Sequence, residues 1–545
     1  MARMYRDRRW GHRLAATLTV GALVAATLST VATAGASERS QKGGGDSVTF
    51  ALEAESSGGW CLPQAQLAAG GIQVSVAIYD TLTTIDSKGE YVPYLAKSVT
   101  PNDTYDEWTI GLRDGVTFHD RTPVDAESIK LNIDAFRGVK ADLPVRLGVF
   151  TFENIDTVTV VDPLTVVVTT KTPWPAFPAY FSGGRAGISA PAQLNDPDTC
   201  PSNMIGSGPF VCKEGCWRPN ESVTLEANPD YWQEGYPKVD ELIFRPVGDS
   251  QSRLNGLQSG ELDLIQTSNS LSIVDMQERK KNGDIKLLAT DKGAEVAYLM
   301  LNAGKPPFDS EDARQAVAWA GDAKEVNEIR NRGLNTIANG PFPPDSPIYD
   351  PQFVRGHNLK KAKQFVKKWE DANPGETLSF EYATQPEPDT LAIAQLVKEQ
   401  QAKAGIEVSI RTIDQATLIN DVLAGNFQGA GFRNHPGGDP DTQYVWWHSE
   451  SPVNFGRIND PVIDQALEEG RVELDPEKRI EIYQGLNKQF FEQLYNLWSW
   501  YTFWAVGYQT DVGGVKGAPL PDKAGTGKPF PLFAGVIPVL AITKQ

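Results

Sequence analysis

The chain opens on Arg3, Arg6, Arg8, Arg9 and Arg13, followed by an uncharged stretch rich in Ala, Leu, Val and Thr over residues 14–34. A basic leader, an apolar stretch and the small-x-small triplet Ala32-Thr33-Ala34 read together as an export signal, residues 1–34, cleaved after Ala34, with Ala34-Gly35-Ala36 as a second site. The stretch is also long enough to span a bilayer uncleaved, but its small residues and threonines make it a weak anchor. Export constrains everything downstream. The remaining chain of about 510 residues folds in an oxidising, extracytoplasmic compartment. It also exceeds what one hydrophobic core organises, so two or more lobes are expected.

The formal charge is −18, and about −22 once the leader's five arginines and one aspartate are removed. So acidic a body repels nucleic acid and anionic membrane, and neither is expected as a partner. No second span follows the leader. Residues 536–542 are apolar but too short to cross, and read as a buried strand interrupted by Pro538. The first cysteine is Cys61, so no lipid-anchor cysteine stands at the cleavage site. Four cysteines allow three disulfide connectivities. Cys212 and Cys216 flank Lys213-Glu214-Gly215, a turn short enough for a local bridge, which leaves Cys61 with Cys200. The C-x3-C spacing without a second nearby pair argues against zinc.

Residues 78–123 carry the most local information: IYDTLTTIDSKGEYVPYLAKSVTPNDTYDEWTIGLRDGVTFHDRTP. Trp108, Ile110 and Leu112 alternate with polar residues, predicting a half-buried strand, and Gly115 turns the chain into a second strand at 116–118, forming a hairpin. Thr122 is placed as a helix N-cap, Pro123 at the first helical position, and Asp125 near the positive helix end. Ile129, Ile133 and Phe136 then share one helical face. This region resembles the signature of family 5 extracytoplasmic solute-binding proteins, which deliver peptides and related solutes to ABC importers. The family usually carries glycine where Arg121 stands. Ordered matches extend the resemblance: Gly206-Ser207-Gly208-Pro209-Phe210, then Trp217, Asn228-Pro229-Asp230-Tyr231-Trp232, the run from Arg253 to Asp263, and MLNAGKPPFDSEDARQAVAWAGD from Met300.

The resemblance implies an α/β, two-lobed, periplasmic-binding-protein-like fold of type II (cluster C). A discontinuous first lobe, 37–291 with return segment 508–545, encloses a second lobe, 292–507. Asp291-Lys292-Gly293 and Gly507 are the expected hinge points. Within the second lobe the residue pattern predicts a helix over 359–369, a strand over 378–382, a helix over 389–404 stopped by Gly405, and a strand over 406–411.

No G-x-S-x-G, H-E-x-x-H, P-loop or Rossmann series is present. A secreted hydrolase using surface carboxylates is therefore the rival class rather than the leading one. His119 reads as structural and His357 as a loop residue. His435 and His448, with Asp439 and Asp441 between them, have no recognised ligand spacing, so no metal and no cofactor are expected.

The stretch 431–447, GFRNHPGGDPDTQYVWW, corresponds to the strand and loop that line the cleft in peptide-binding relatives. The resemblance implies solute contacts at Phe432, Arg433, Asn434, Asp439, Trp446 and Trp447, with Tyr444 as a further wall. On the first lobe it implies Glu55, Ser57, Trp60, Gly70, Gly71 and Gln73, whose glycines would admit a ligand backbone. Pro436 stands where relatives place the aspartate that binds a peptide's amino group, so that carboxylate is missing unless Asp439 or Glu55 takes over. Arg433 either holds an acidic solute group or forms a salt bridge across the lobes. Trp498, Trp500 and Trp504 are assigned to the core. The implied function is capture of a peptide or peptide-like solute by a monomer that closes around it and delivers it to ABC permease subunits, without catalysis. An oligosaccharide, opine-like conjugate or metal complex is the alternative solute.

Overall fold

Two mixed sheets organise the chain in the computed structural model, which describes residues 46–545 except 57, 66, 144, 146, 147, 435 and 436, and not the side chains of 415 and 416. The export signal, Ser57, His435 and Pro436 thus lie outside the described residues.

The first sheet has the order Lys286–Thr290, Trp504–Tyr508, Leu264–Thr267, Ser47–Leu52, Glu241–Pro246, Ser222–Ala227, Phe210–Val211, with Trp217–Arg218 also on Ser222–Ala227. Ser47–Leu52 runs parallel to both its neighbours. The second sheet has the order Thr336–Ile337, Asn496–Tyr501, Val296–Leu301, Gly429–Asn434, Ser379–Thr384, Glu407–Thr412. A four-stranded antiparallel sheet, Ala96–Pro101, Glu107–Leu112, Thr165–Thr170 and Ile155–Asp162, shares the first sheet's core. That core draws on Val48 to Leu264 and again on Trp504 to Ile542, whereas two further cores lie wholly between Ala294 and Tyr501.

The chain passes between the two large sheets twice, at 291–295 and at 502–503. The Thr502 amide donates to the Glu295 carbonyl at 2.8 Å and ties the crossings together. Gly507, expected at the boundary, lies inside Trp504–Tyr508 opposite Ile265 and Leu287. A Cβ there would meet Met276 Sδ at 2.4 Å, so this glycine serves close packing, and the change of sheet falls before Trp504.

Long-range pairing corrects the local reading near residue 110. Glu107–Leu112 pairs with Ala96–Pro101 and Thr165–Thr170, and not with 116–118, which form a single bridge from Thr117 to Pro123. The helix begins at Ala126 rather than Pro123, because Asp125 and Ser128 close a capping box. Its buried face is Ile129, Ile133 and Phe136, as the spacing predicts. Arg121 sits at φ 67°, the left-handed region that favours glycine.

The second-sheet elements follow their sequence pattern to within a few residues: Leu359–Ala372, Ser379–Thr384, Pro388–Ala404 ended by Gly405 at φ 91°, and Glu407–Thr412. Residues 536–542 are only partly buried, at Ile537, Val539, Leu540 and Ile542, and form no strand; Gln73 instead bonds both the amide and the carbonyl of Ile537. Disulfides join Cys61 to Cys200 and Cys212 to Cys216. Among the described residues no helix is long and apolar enough to cross a membrane.

Candidate functional site

A cavity of about 1380 Å³ lies between the two large sheets. Its inner end is charged. Glu53 and Ser268 directly follow the parallel strands Ser47–Leu52 and Leu264–Thr267, the strand ends at which open α/β sheets gather ligand groups. Glu295 comes from the first crossing, Arg433 from Gly429–Asn434, and Arg185 from the short turn Gly184–Ala186.

Arg433 is already engaged. Its Nε lies 2.9 Å from Glu295, a guanidinium nitrogen lies 3.7 Å from Glu53, another donates to Ser268 Oγ at 2.9 Å, and the group stands 5.1 Å from the Trp504 ring. Of the two readings of Arg433, the salt bridge between the sheets is the one formed. Arg253, 2% exposed, approaches Glu53 at 3.4 Å from the other side. The Glu295 carboxylate that faces Arg433 is also approached by Trp504. Burial pushes the Glu295 carboxyl upward, against the pull of Arg433.

Arg185 was not singled out by sequence. Its Nε donates to the Leu67 carbonyl at 2.9 Å, and no carboxylate lies within ion-pair distance among the described residues. Burial lowers its affinity for a proton, opposed by Glu295. The inner cluster therefore sets the guanidinium groups of Arg185, Arg253 and Arg433 against the carboxylates of Glu53 and Glu295, a surplus of one cation. Exposed Asp249, near Arg253, is solvated and occupied as a helix cap. A signal for Arg185 did exist: it is the one charged residue between Lys171 and Asp196.

Glu55, Gly70, Phe432, Arg433, Asn434 and Trp446 all line this cavity. The buried Oδ1 of Asn434 has no partner among the described residues. Glu55 is committed to Trp217 Nε1 and the Asn220 amide, each at 2.6 Å. Asp439 is paired with Arg479 at 2.6 Å and does not line this cavity, so neither carboxylate stands free for a solute ammonium group. Trp60 packs edge-on against Trp217, Trp447 is sunk among Tyr298, Phe490 and Trp498, and Gln73 is held by Ile537; all three are core. Gly71 faces Leu67 and Ser56, and a Cβ on Gly70 would meet the Ala54 carbonyl at 2.4 Å, so these glycines seat a helix against neighbouring backbone. Tyr444 is covered by Arg471, 3.6 Å from its ring centre. Trp498 and Trp500, assigned to the core, are half-buried and line the cavity, while Trp504 is core. His448 stacks on Tyr444, and its Nε2 lies 3.2 Å from Glu468.

The chain resembles the glutathione-binding protein GsiB of Escherichia coli K12, with 24% identity over 425 residues, 76% of this chain and 81% of the relative. Its fold is that of AgaA from A. tumefaciens R10, solved with agropinic acid (TM-score 0.80, 22% identity, 92% of this chain and 99% of that one). It is also that of a dipeptide-binding protein from Pseudoalteromonas sp. SM9913, solved with Met-Leu (TM-score 0.80, 20% identity, 92% and 100%). These likenesses establish the two-lobed α/β fold. Residues 90–455, more than half of the chain, match the family described as bacterial extracellular solute-binding proteins, family 5, middle region, and the chain belongs to that family.

Proposed function

We propose that this chain is exported, captures a small carboxylic solute of peptide-like or opine-like kind between two lobes hinged at 291–295 and 502–503, and hands it to ABC permease subunits without turnover. The surplus cation carries the proposal. Two carboxylates neutralise two of the three inner guanidinium groups, and Arg185 remains for an anion from solution. Buried charge without a counter-ion is costly, so a solute carboxylate that supplies one binds tightly. Asn434 Oδ1 is a buried acceptor without a donor among the described residues, and it suits an N–H or O–H group of the same solute. Glutathione, agropinic acid and Met-Leu, the solutes of the relatives, combine these two chemistries.

Calorimetry with those three acids and with neutral oligosaccharides tests the reading. At least one acid should bind with 1:1 stoichiometry and be recovered unchanged. Arg185→Gln should weaken it about 30-fold or more, the scale for losing one partner of a buried charged pair. Binding of a neutral sugar alone, acid binding indifferent to Arg185→Gln, or release of a cleaved product would each defeat the proposal.

A further inference from the structure

A second cavity of about 370 Å³ adjoins the first, and Arg185 and Trp446 line both. Its walls are chiefly apolar and come from both sides of the site. Ile72, Val76, Phe152 and Phe530 belong to the first-sheet side, whereas Trp446 and Val453 belong to the second.

The tyrosine hydroxyls and the Asp80 carboxyl at its border are engaged by neighbouring groups. The Tyr79 hydroxyl is bonded to Gln193, that of Tyr94 to Tyr231, and that of Tyr180 to Asp441. Asp80 receives Trp232 Nε1 at 2.9 Å and the hydroxyls of Tyr231 and Ser207 at 3.1 Å. Burial pushes the Asp80 carboxyl up to about 7, which favours its neutral form beside an apolar space. Aromatic faces and aliphatic side chains are thus left to meet an occupant. An apolar cavity well above 150 Å³ offers water few partners and accepts apolar groups instead.

We propose that this chamber receives an apolar substituent of the solute whose carboxylate is held at Arg185, so that the preferred solute is an amphiphilic acid, such as an N-acyl amino acid. The proposal rests on the anionic-solute reading above and adds the second half of the ligand. Arg185 at the junction fixes where the polar head ends, and Trp446 forms the shared wall along which the tail enters. A solute of this shape touches both sides of the site at both ends, so its tail as well as its head favours the closed form.

The test is calorimetry of N-acetyl-, N-butanoyl-, N-hexanoyl- and N-octanoylglycine against the full-length protein. Affinity should rise about fourfold per buried methylene until the chamber is filled. Val76→Trp, which places an indole in the chamber, should flatten that rise, so that the octanoyl and acetyl compounds bind alike. Val76→Ala guards against misfolding of the tryptophan variant and should move the steepest gain to longer chains. If acetylglycine binds and lengthening the chain changes nothing in the parent protein, the tail chamber is refuted while the anion anchor stands. If no member of the series binds, the anchor falls and the chamber proposal falls with it. A rise that survives Val76→Trp unchanged also overturns it, because the tail then lies elsewhere.

Discussion

Asp441→Asn probes how the two sides of the cleft are held together. Asp441 is fully buried in the short turn Pro440–Gln443, and it lines neither cavity. One carboxylate oxygen accepts from Arg471 Nε at 3.0 Å, within the same side of the molecule. The other accepts from Trp174 Nε1 at 2.7 Å and from the Tyr180 hydroxyl at 2.9 Å, both of which pack with the first-sheet core. An amide cannot serve all three donors. With its oxygen toward Trp174 and Tyr180, its NH2 opposes Arg471; turned over, the NH2 opposes Trp174, while the Tyr180 hydroxyl keeps the Asp441 carbonyl as acceptor at 2.8 Å. Hydrogen bonds to a charge contribute about 1.5–3 kcal/mol each and neutral ones about 1 kcal/mol, so weakening two of them removes about 1–4 kcal/mol from the closed arrangement. Where the open form predominates without solute, that is a loss of about fivefold or more in affinity. Calorimetry for affinity, small-angle scattering for the open–closed balance and thermal unfolding for stability separate the outcomes. Affinity within twofold of the parent, with an unchanged scattering profile in a folded protein, would refute the reasoning and leave Asp441 a purely structural anchor for Arg471.

Two further outcomes follow from buried titrating groups and from one strained residue. Burial raises Asp80 to about 7 and lowers His119 to about 4, the latter held between the Gly206 amide and the Gly208 carbonyl. Folding stability from Asp80 is present at low pH and is lost as pH rises through 7, by about 4 kcal/mol, whereas that from His119 is lost as pH falls from 6.5 through 4. The two slopes oppose one another between pH 4 and 6.5. Denaturant unfolding of Asp80→Asn should therefore expose a steeper acid loss than the parent shows, and a parallel profile would count against the buried Asp80 carboxyl. Arg121→Gly should stabilise by about 1 kcal/mol in the same assay, because a non-glycine residue in the left-handed region costs about that much, and the exposed Arg121–Asp230 pair at 3.9 Å offers little to lose. A destabilised glycine variant would mean that the arginine side chain contributes more than its backbone costs.

What could be read from residues alone was whatever depends on neighbours in sequence. The helix face Ile129, Ile133, Phe136 and the run from Leu359 to Thr412 follow from periodicity and from Gly405 as a stop, since a helix or strand exposes its pattern along its own length. The Cys212–Cys216 bridge followed from a five-residue turn, and its pairing left Cys61 for Cys200. Membership of the family was legible in ordered motifs. The site was legible only in part. Phe432, Arg433, Asn434 and Trp446 do face the cavity, but Trp60, Gln73, Asp439 and Trp447 do not, because a residue beside a cleft can point either into it or into the core behind it. Tertiary structure alone decided the charges: that Glu53 and Glu295 occupy Arg433, that Arg479 occupies Asp439, and that Arg185 is left over. Charge pairing at close range depends on distances between segments that are far apart in sequence, and no local pattern encodes those distances.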